Sequence, residues 1–368
     1  MIALGLLIPF QTETPLSFQL KEWLVEILTG LIFPLVMWNV LLYEKNAVTV
    51  FIKSFVVIIL ISCIYGLLLT LTKGINPYIM FINLLDGKEF AEGWFAADDR
   101  LFGRISSTFE HPMRWALFLG LALIFFAGIK NNMNKWLQLI IIFLIGANII
   151  VCGVRSVIVS LIITAVFYLL RKRQIKLLLG AVACCFIVLL IIHLNEDLYN
   201  YFYSIIDFSA KKTSVQGSSL DMRINQLEGA FAEIRTSPLV GKGYGWWTYY
   251  LAKNGMHPIL LAFESLIFMV LCQSGFLGCI IWTVFFLLSF YIPKIYLKSR
   301  DEIILVQCLT VFYMVYCVLT GDYAYMRLYY IFYVLMIGMY YNFFKNKKIL
   351  AKLILFKILT QNNGDKRK

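Results

Sequence analysis

Apolar runs long enough to cross a bilayer follow one another along nearly the whole of this chain, and that feature restricts its fold more than any motif does. A membrane-crossing helix needs about 20 predominantly apolar residues. In hydrocarbon the backbone must satisfy its own polar groups, which leaves only helices or a closed barrel. Unbroken runs, rather than alternating ones, predict an all-α polytopic membrane helix bundle. Spans are expected at 24–42, 50–72, 113–129, 136–152, 156–170, 175–194, 277–293, 303–320 and 324–344, about nine in all. The opening MIALGLLIPF is a half-span, either a re-entrant segment or a truncated helix, and it lacks the basic start of a secretory signal. With 61% of residues hydrophobic and 15% charged, residues 1–368 form one integral membrane domain with no room for a soluble one beyond a long loop.

The basic residues orient the bundle. Tail 345–368, the RKRQIK hinge, and the GIKNNMNK and PKIYLKSRDE connectors all fall on one side of the nine-span arrangement. That side holds 19 of the 33 Lys/Arg and 4 of the 21 Asp/Glu, which marks it as cytoplasmic. The net charge of +12 is then a topology signal with the tail on anionic headgroups, and it requires no nucleic acid. Segment 257–275 is apolar enough for a tenth span, but a crossing there would place the basic tail outside. It is expected as a helix at, or dipping into, the outer surface. The eight cysteines lie in or near spans without metal-ligand or disulfide spacing, and packing is their expected role.

Polar chemistry collects in two outer loops, 73–112 and 195–276. All three histidines, His111, His193 and His257, map to that side. The stretch GRISSTFEHPMRW carries Arg104, Glu110, His111 and Arg114 into the start of a span. Charges at membrane depth usually face a cavity, a partner or a substrate, and the alternative is a snorkelling side chain. Two roles likewise fit Arg155 at the start of its span: an interfacial anchor, or an anion contact at the mouth of the bundle.

The second loop contains SSLDMRINQLEGAFAEIRTSPLVGKGYGWW. Ser218 with Asp221 resembles a capping box, and Leu220, Ile224, Leu227, Phe231 and Ile234 recur at helical spacing until Ser237-Pro238. Arg223 then falls in the first turn, where it adds nothing favourable to the helix dipole. Its partner is either a phosphate or a nearby acid, Asp221 or Glu228. GKGYG lacks the spacing of a nucleotide loop and reads as a tight turn close to other backbone or a ligand. Trp246, Trp247, Tyr249 and Tyr250 suit the headgroup layer or a sugar-stacking surface. Pro258 is expected to open a helix capped by His257, with Glu264 on the same face seven residues on. Glu264 lies among Phe263, Leu266 and Ile267, surroundings that suit a general base unless an arginine pairs with it. The acids in DDR, 98–100, offer a weak magnesium site, and adjacent loop acids are more often solvated.

Taken together these segments resemble the O-antigen polymerase and ligase superfamily over most of the chain. GRISSTFEHPMRWA is similar to its arginine-then-proline loop before a span, and GVRSVIVSLI to its Ser-Arg span start, here in the order Arg155-Ser156. MRINQLEGAFAEIRTSPLVGKGYG is similar to its arginine-bearing loop helix ending in Pro-Leu-x-Gly-x-Gly. The family's ligases carry a His-Asn pair eleven residues before a Gly-x-x-Gly; here Glu264-Ser265 stand at that spacing before Gly275 and Gly278. The departure favours a polymerase, or leaves His257 as a displaced equivalent.

The resemblance implies a GT-C-like membrane fold in a bacterial cytoplasmic (inner) membrane and glycosyl transfer at its outer face. Undecaprenyl-diphosphate-linked oligosaccharides would be donor and acceptor, and a chain-length regulator a possible partner. It implies Arg104, Arg155, Arg223, His111 and Tyr244 as diphosphate or substrate contacts, Glu264 or His257 as the base, and Arg223 also in the catalytic set. Neither cofactor nor metal is required, because arginines can neutralise the diphosphate. The alternatives are an O-antigen ligase or a flippase of lipid-linked oligosaccharide, the latter disfavoured by the scarcity of mid-span charges and repeats.

Overall fold

Helices supply the regular elements of the computed structural model, which describes residues 2–44, 46–72, 75–85, 105–129, 133–174, 176–177, 180, 220–260, 265–321 and 326–341. The elements are α1 (Leu16–Ile27), α2 (Phe33–Tyr43), α3 (Ala47–Leu68), α4 (Pro77–Leu85), α5 (Pro112–Gly128), α6 (Lys135–Val151) and α7 (Arg155–Arg171). They continue with α8 (Leu220–Glu233), α9 (Trp246–Asn254), α10 (Leu266–Tyr296), α11 (Arg300–Thr320) and α12 (326–341). Four stretches are long and apolar enough to cross a membrane: Leu16–Tyr43, Ala47–Leu68, Leu266–Tyr296 and Arg300–Thr320. The shorter apolar helices Pro112–Gly128 and Lys135–Val151 pack beside them. The chain is an all-α, multi-pass membrane protein. Most of the expected span 175–194, much of loop 73–112, residues 195–219 and the tail 345–368 lie outside the described residues.

Local chemistry explains the irregularities. The turn Leu28–Ile32 that joins α1 to α2 is a widened, π-type turn. Pro34 follows it, and a proline ring clashes with the carbonyl four residues back, here that of Gly30, so widening the helix relieves the conflict. Between α6 and α7 the chain reverses at Gly153, whose φ of 66° suits a residue without Cβ.

Side-chain bridges fix the directions of the helices. Arg300 donates to the Arg171 carbonyl at 3.0 Å and Lys172 pairs with Asp301, so the C-terminus of α7 lies beside the N-terminus of α11. The Tyr316 hydroxyl donates to the Met113 carbonyl at 2.6 Å, and Tyr340 to the Gly128 carbonyl at 2.8 Å. Asn148 donates to the Cys63 carbonyl at 3.0 Å. These contacts sort the bundle into two ends. Lys135, Arg171, Lys172, Arg173, Lys294, Lys298 and Arg300 mark one; the N-termini of α5, α7 and α10 and the C-termini of α3, α6 and α11 mark the other. The core between them is dominated by aromatic rings, among them Trp115, Phe125, Phe312, Tyr316 and Phe332.

Two expectations need correction. The span expected at 277–293 is the longer α10, whose helical geometry is interrupted at Gly275 (φ 60°, ψ −159°). The helix expected to begin at Pro258 does not form there: residues 258–260 are a turn and α10 opens at Leu266, capped by Ser265, whose hydroxyl accepts from the Ile267 amide at 3.3 Å. The cause lies in His257, whose ring is held by Glu233 at 3.3 Å and by the Tyr250 ring at 5.0 Å. Its Nδ1 takes the Ile259 and Leu260 amides as a cap would, within the turn at 258–260. The N-terminal half-span consists of two short turns, Ile2–Gly5 and Ile8–Phe10, with Leu4, Leu7 and Ile8 buried and the first turn against α10.

Candidate functional site

A broken helix exposes orphan carbonyls on one side of the break and orphan amides on the other. At membrane depth such backbone survives only where protein satisfies it. Here the segment Pro238–Gly243 performs that task. The Lys242 and Gly243 amides donate to the Cys272 and Gln273 carbonyls at 2.9 and 3.2 Å, while the Phe276 and Leu277 amides donate to the Pro238 and Leu239 carbonyls at 2.9 and 3.1 Å. The approach is close enough to demand glycine twice. A Cβ on Gly275 would stand 2.5 Å from the Pro238 and Leu239 oxygens, and one on Gly241 (φ 71°) would stand 2.5 Å from the Ser274 nitrogen.

The N-terminal segment locks this loop from outside. Gln11 donates to the Val240 carbonyl at 2.5 Å and to the Gln273 carbonyl at 3.0 Å. The Tyr244 amide donates to both Gln11 and Gln19 side-chain oxygens at 3.0 Å. Thr14 donates to the Lys242 carbonyl at 3.1 Å. The amides of Gly241, Lys242, Gly243 and Tyr244 are all committed to protein acceptors, so GKGYG is a splint for the helix break and not a phosphate cradle.

A polar cluster closes over the splint. Lys242 Nζ lies 2.5 Å from Glu233 Oε2 and 3.2 Å from Glu13 Oε2, and 4.9 Å from the centre of the Trp246 ring. Glu233 Oε1 faces His257 Nε2 at 3.3 Å. Because Nδ1 accepts two backbone amides, the network assigns the neutral ring's proton to Nε2, directed at Glu233. Burial pushes the Glu233 carboxyl up, but the hydrogen bond and charge of Lys242, with the hydrogen bond from His257, outweigh it and hold the group below its ordinary value. Burial likewise pulls Lys242 down, and Glu233 and Glu13 more than reverse it. Sequence reasoning missed Glu233. The signal was an acid in the last turn of a helix, where the macrodipole disfavours it and a cation is needed nearby.

The described residues singled out from sequence gather at the end of the bundle opposite the basic connectors. Arg155 opens α7, which runs antiparallel to α11 and so begins beside the C-terminus of α11. Arg223, in the first turn of α8, donates to the Leu319 carbonyl at 2.7 Å, one of the last carbonyls of α11, where a cation suits the dipole. His111 caps α5, its Nδ1 accepting from the Met113 amide at 3.1 Å, and Tyr316 of α11 bonds the Met113 carbonyl. Tyr244 is buried and lines a small cavity with Leu4, Trp282, Phe285, Met326 and Tyr330. His257 is buried beside Glu233. Arg104, Glu264, His193 and residues 98–100 lie outside the described residues.

Residues just after Arg104 are held firmly. Asn76 donates to the Ser107 carbonyl at 2.6 Å and to the Ser106 hydroxyl at 3.1 Å. Ser107, with a left-handed φ of 50°, donates to the Ser62 carbonyl at 2.6 Å. The loop that carries His111 is thereby pinned to the outer turn of α3.

Residues 140–283 match the O-antigen ligase family. The ligase-family region runs from within α6 to the early turns of α10 past Gly275, and it contains Arg155, Arg223, Glu233, Lys242, Tyr244 and His257. The likeness to that family covers 144 of the 368 residues. No curated protein matches the chain at significant similarity.

Proposed function

We propose that the protein is a bacterial surface-polysaccharide polymerase, joining polyprenyl-diphosphate-linked repeat units by glycosyl transfer at the outer face of the cytoplasmic membrane. The carrying observation is that Arg155, Arg223 and His111 stand beside the last turns of α11, at the end of the bundle opposite the basic connectors. The positive-inside tendency puts that basic end in the cytoplasm and the gathered residues outside.

In this reading the acceptor sugar hydroxyl attacks the anomeric carbon of the donor as the bond from that carbon to the diphosphate breaks. The leaving diphosphate takes the electron pair, and the hydroxyl proton passes to a base. Arg155, Arg223 and Arg104 supply the cationic stabilisation of the leaving group, the electrostatic contribution that is commonly the largest, without need of a metal. Glu264 is the favoured base, because both ring nitrogens of His257 are engaged in the turn and by Glu233; a positioned base contributes about 10² to 10⁴ in rate. His257 then orients Glu233 and the splint.

The ligase is the second reading, favoured by the description of the matched family; the Glu264-Ser265 pair in place of His-Asn favours the polymerase. A strain deleted for the gene and complemented with wild type, Arg223→Ala, Arg155→Ala or Glu264→Gln, each present in the membrane at normal abundance, separates the two. Surface glycan reduced to single repeat units, with the variants failing to restore a ladder, supports polymerisation. Long, unattached lipid-linked chains indicate ligation. Attached, full-length polymer in the deletion strain overturns both.

A further inference from the structure

Helix α8 presents the wrong face to its own protein. Its buried side carries Gln226, fully buried with its amide 3.5 Å from the Leu260 carbonyl, together with Gly229 and Ala230. Three large apolar residues turn outward: Ile224 is 47% exposed, Leu227 37% and Phe231 45%, while Ile234 just past the helix is buried. At about 100° per residue these three share one flank, while the exposed Asn225, Glu228, Ala232 and Arg235 occupy the adjoining flank. Three faces result: small and polar against protein, apolar outward, and mostly polar outward beside it.

The apolar flank does not end at the helix. The Phe231 ring meets that of Phe276 at 6.4 Å between centres, and Phe276 begins the exposed apolar face of α10 that continues through Ile280, Val284, Leu287, Leu288 and Ile295. That face belongs to a span and contacts acyl chains. We infer that α8 is immersed in the bilayer, its Ile224–Leu227–Phe231 flank on phospholipid acyl chains in continuity with the lipid face of α10 and its Asn225–Glu228–Arg235 flank at the water boundary. A helix with its apolar side in lipid and its polar side in water lies in the interface plane. The loop helix that carries Arg223 is therefore set at headgroup depth, and it meets a lipid-anchored molecule from the side rather than from the aqueous phase.

Site-specific photo-crosslinking in native membranes tests this. The full chain carries p-benzoylphenylalanine at 224, 227 or 231, at 225 or 228 on the polar flank, and at 287 as the reference for a lipid-facing site, in cells grown with radiolabelled phosphate. Phospholipid adducts at 224, 227 and 231 approaching the yield at 287, with several-fold less at 225 and 228, are expected. Yields at the apolar flank no higher than at the polar flank overturn the inference, as do products there consisting only of a second copy, another protein or an internal crosslink. Because the readout is lipid attachment and not glycan synthesis, it stands or falls independently of the polymerase reading.

Discussion

Gly275 and Gly255 adopt nearly the same backbone conformation, φ 60° and ψ −159° against φ 74° and ψ −158°, in a region almost closed to other residues. Alanine at either position carries a backbone cost of about 1–3 kcal/mol. Their surroundings differ: a Cβ at Gly255 meets nothing within 4 Å, while one at Gly275 strikes two carbonyl oxygens. Gly255→Ala is expected to cost only the backbone term, and Gly275→Ala clearly more, read as a larger fall in thermal unfolding temperature of the purified protein; equal falls would refute the splint. The charged cluster gives a second expectation. Glu233 is held below the usual 4.5 of a glutamate, so its contribution is complete above that value and disappears as pH falls through the folded-state value. Lys242 is held above the usual 10.5, so its contribution is complete below that value and disappears as pH rises through the raised one. Glu233→Gln should therefore flatten the acid limb of stability against pH. Sequence revealed half of each such residue: Arg223 in a first turn announced a missing partner, but Leu319, 96 positions away, carried no local sign of being that partner. His257 likewise behaves toward the next two amides as a cap, while Glu233 and Tyr250, which decide its orientation, are brought to it only by folding.

Among the elements, the splint between Pro238 and Gly243 matters most to the site. GKGYG was legible as a tight turn near other backbone, but which backbone was not: charge placement divided segment 257–275 from the span at 277–293, and hydropathy carries no sign that residues 238–243 close the break between them. The amphipathic pattern of Leu220, Ile224, Leu227, Phe231 and Ile234 was also legible, whereas the division that turns Ile224, Leu227 and Phe231 outward and buries Ile234 was not. Periodicity identifies a flank and is silent about whether lipid or protein covers it. The N-terminal segment supports the splint through Gln11, and Gln11→Ala should cost about 1–3 kcal/mol by leaving buried carbonyls short of a donor. Gln19→Ala should cost a similar amount, since the buried Gln19 amide donates to the Gln11 and Thr14 carbonyls at 3.3 and 2.8 Å. Thermal unfolding of both variants checks the two losses.

For the whole molecule, composition and charge were enough to specify a helical bundle with a basic end, and the side-chain bridges from α7 to α11 and from α5 to α12 bear out two distinct ends. Lys253 and Lys298, both exposed, lie at opposite ends. In cells, Lys253→Cys is expected to react with a membrane-impermeant maleimide added outside, and Lys298→Cys only after permeabilisation; the opposite pattern would invert the proposed orientation. The clamp between Gln11 and Gln273 spans 262 positions, and this sets an order of assembly. At about 5–20 residues per second of synthesis, residues 2–15 reach the membrane roughly 10–50 s before the splint they hold has been made. They must wait unseated while six or more helices are laid down. A segment made early is therefore fitted late, and the splint is complete only once residues 262 positions apart have met.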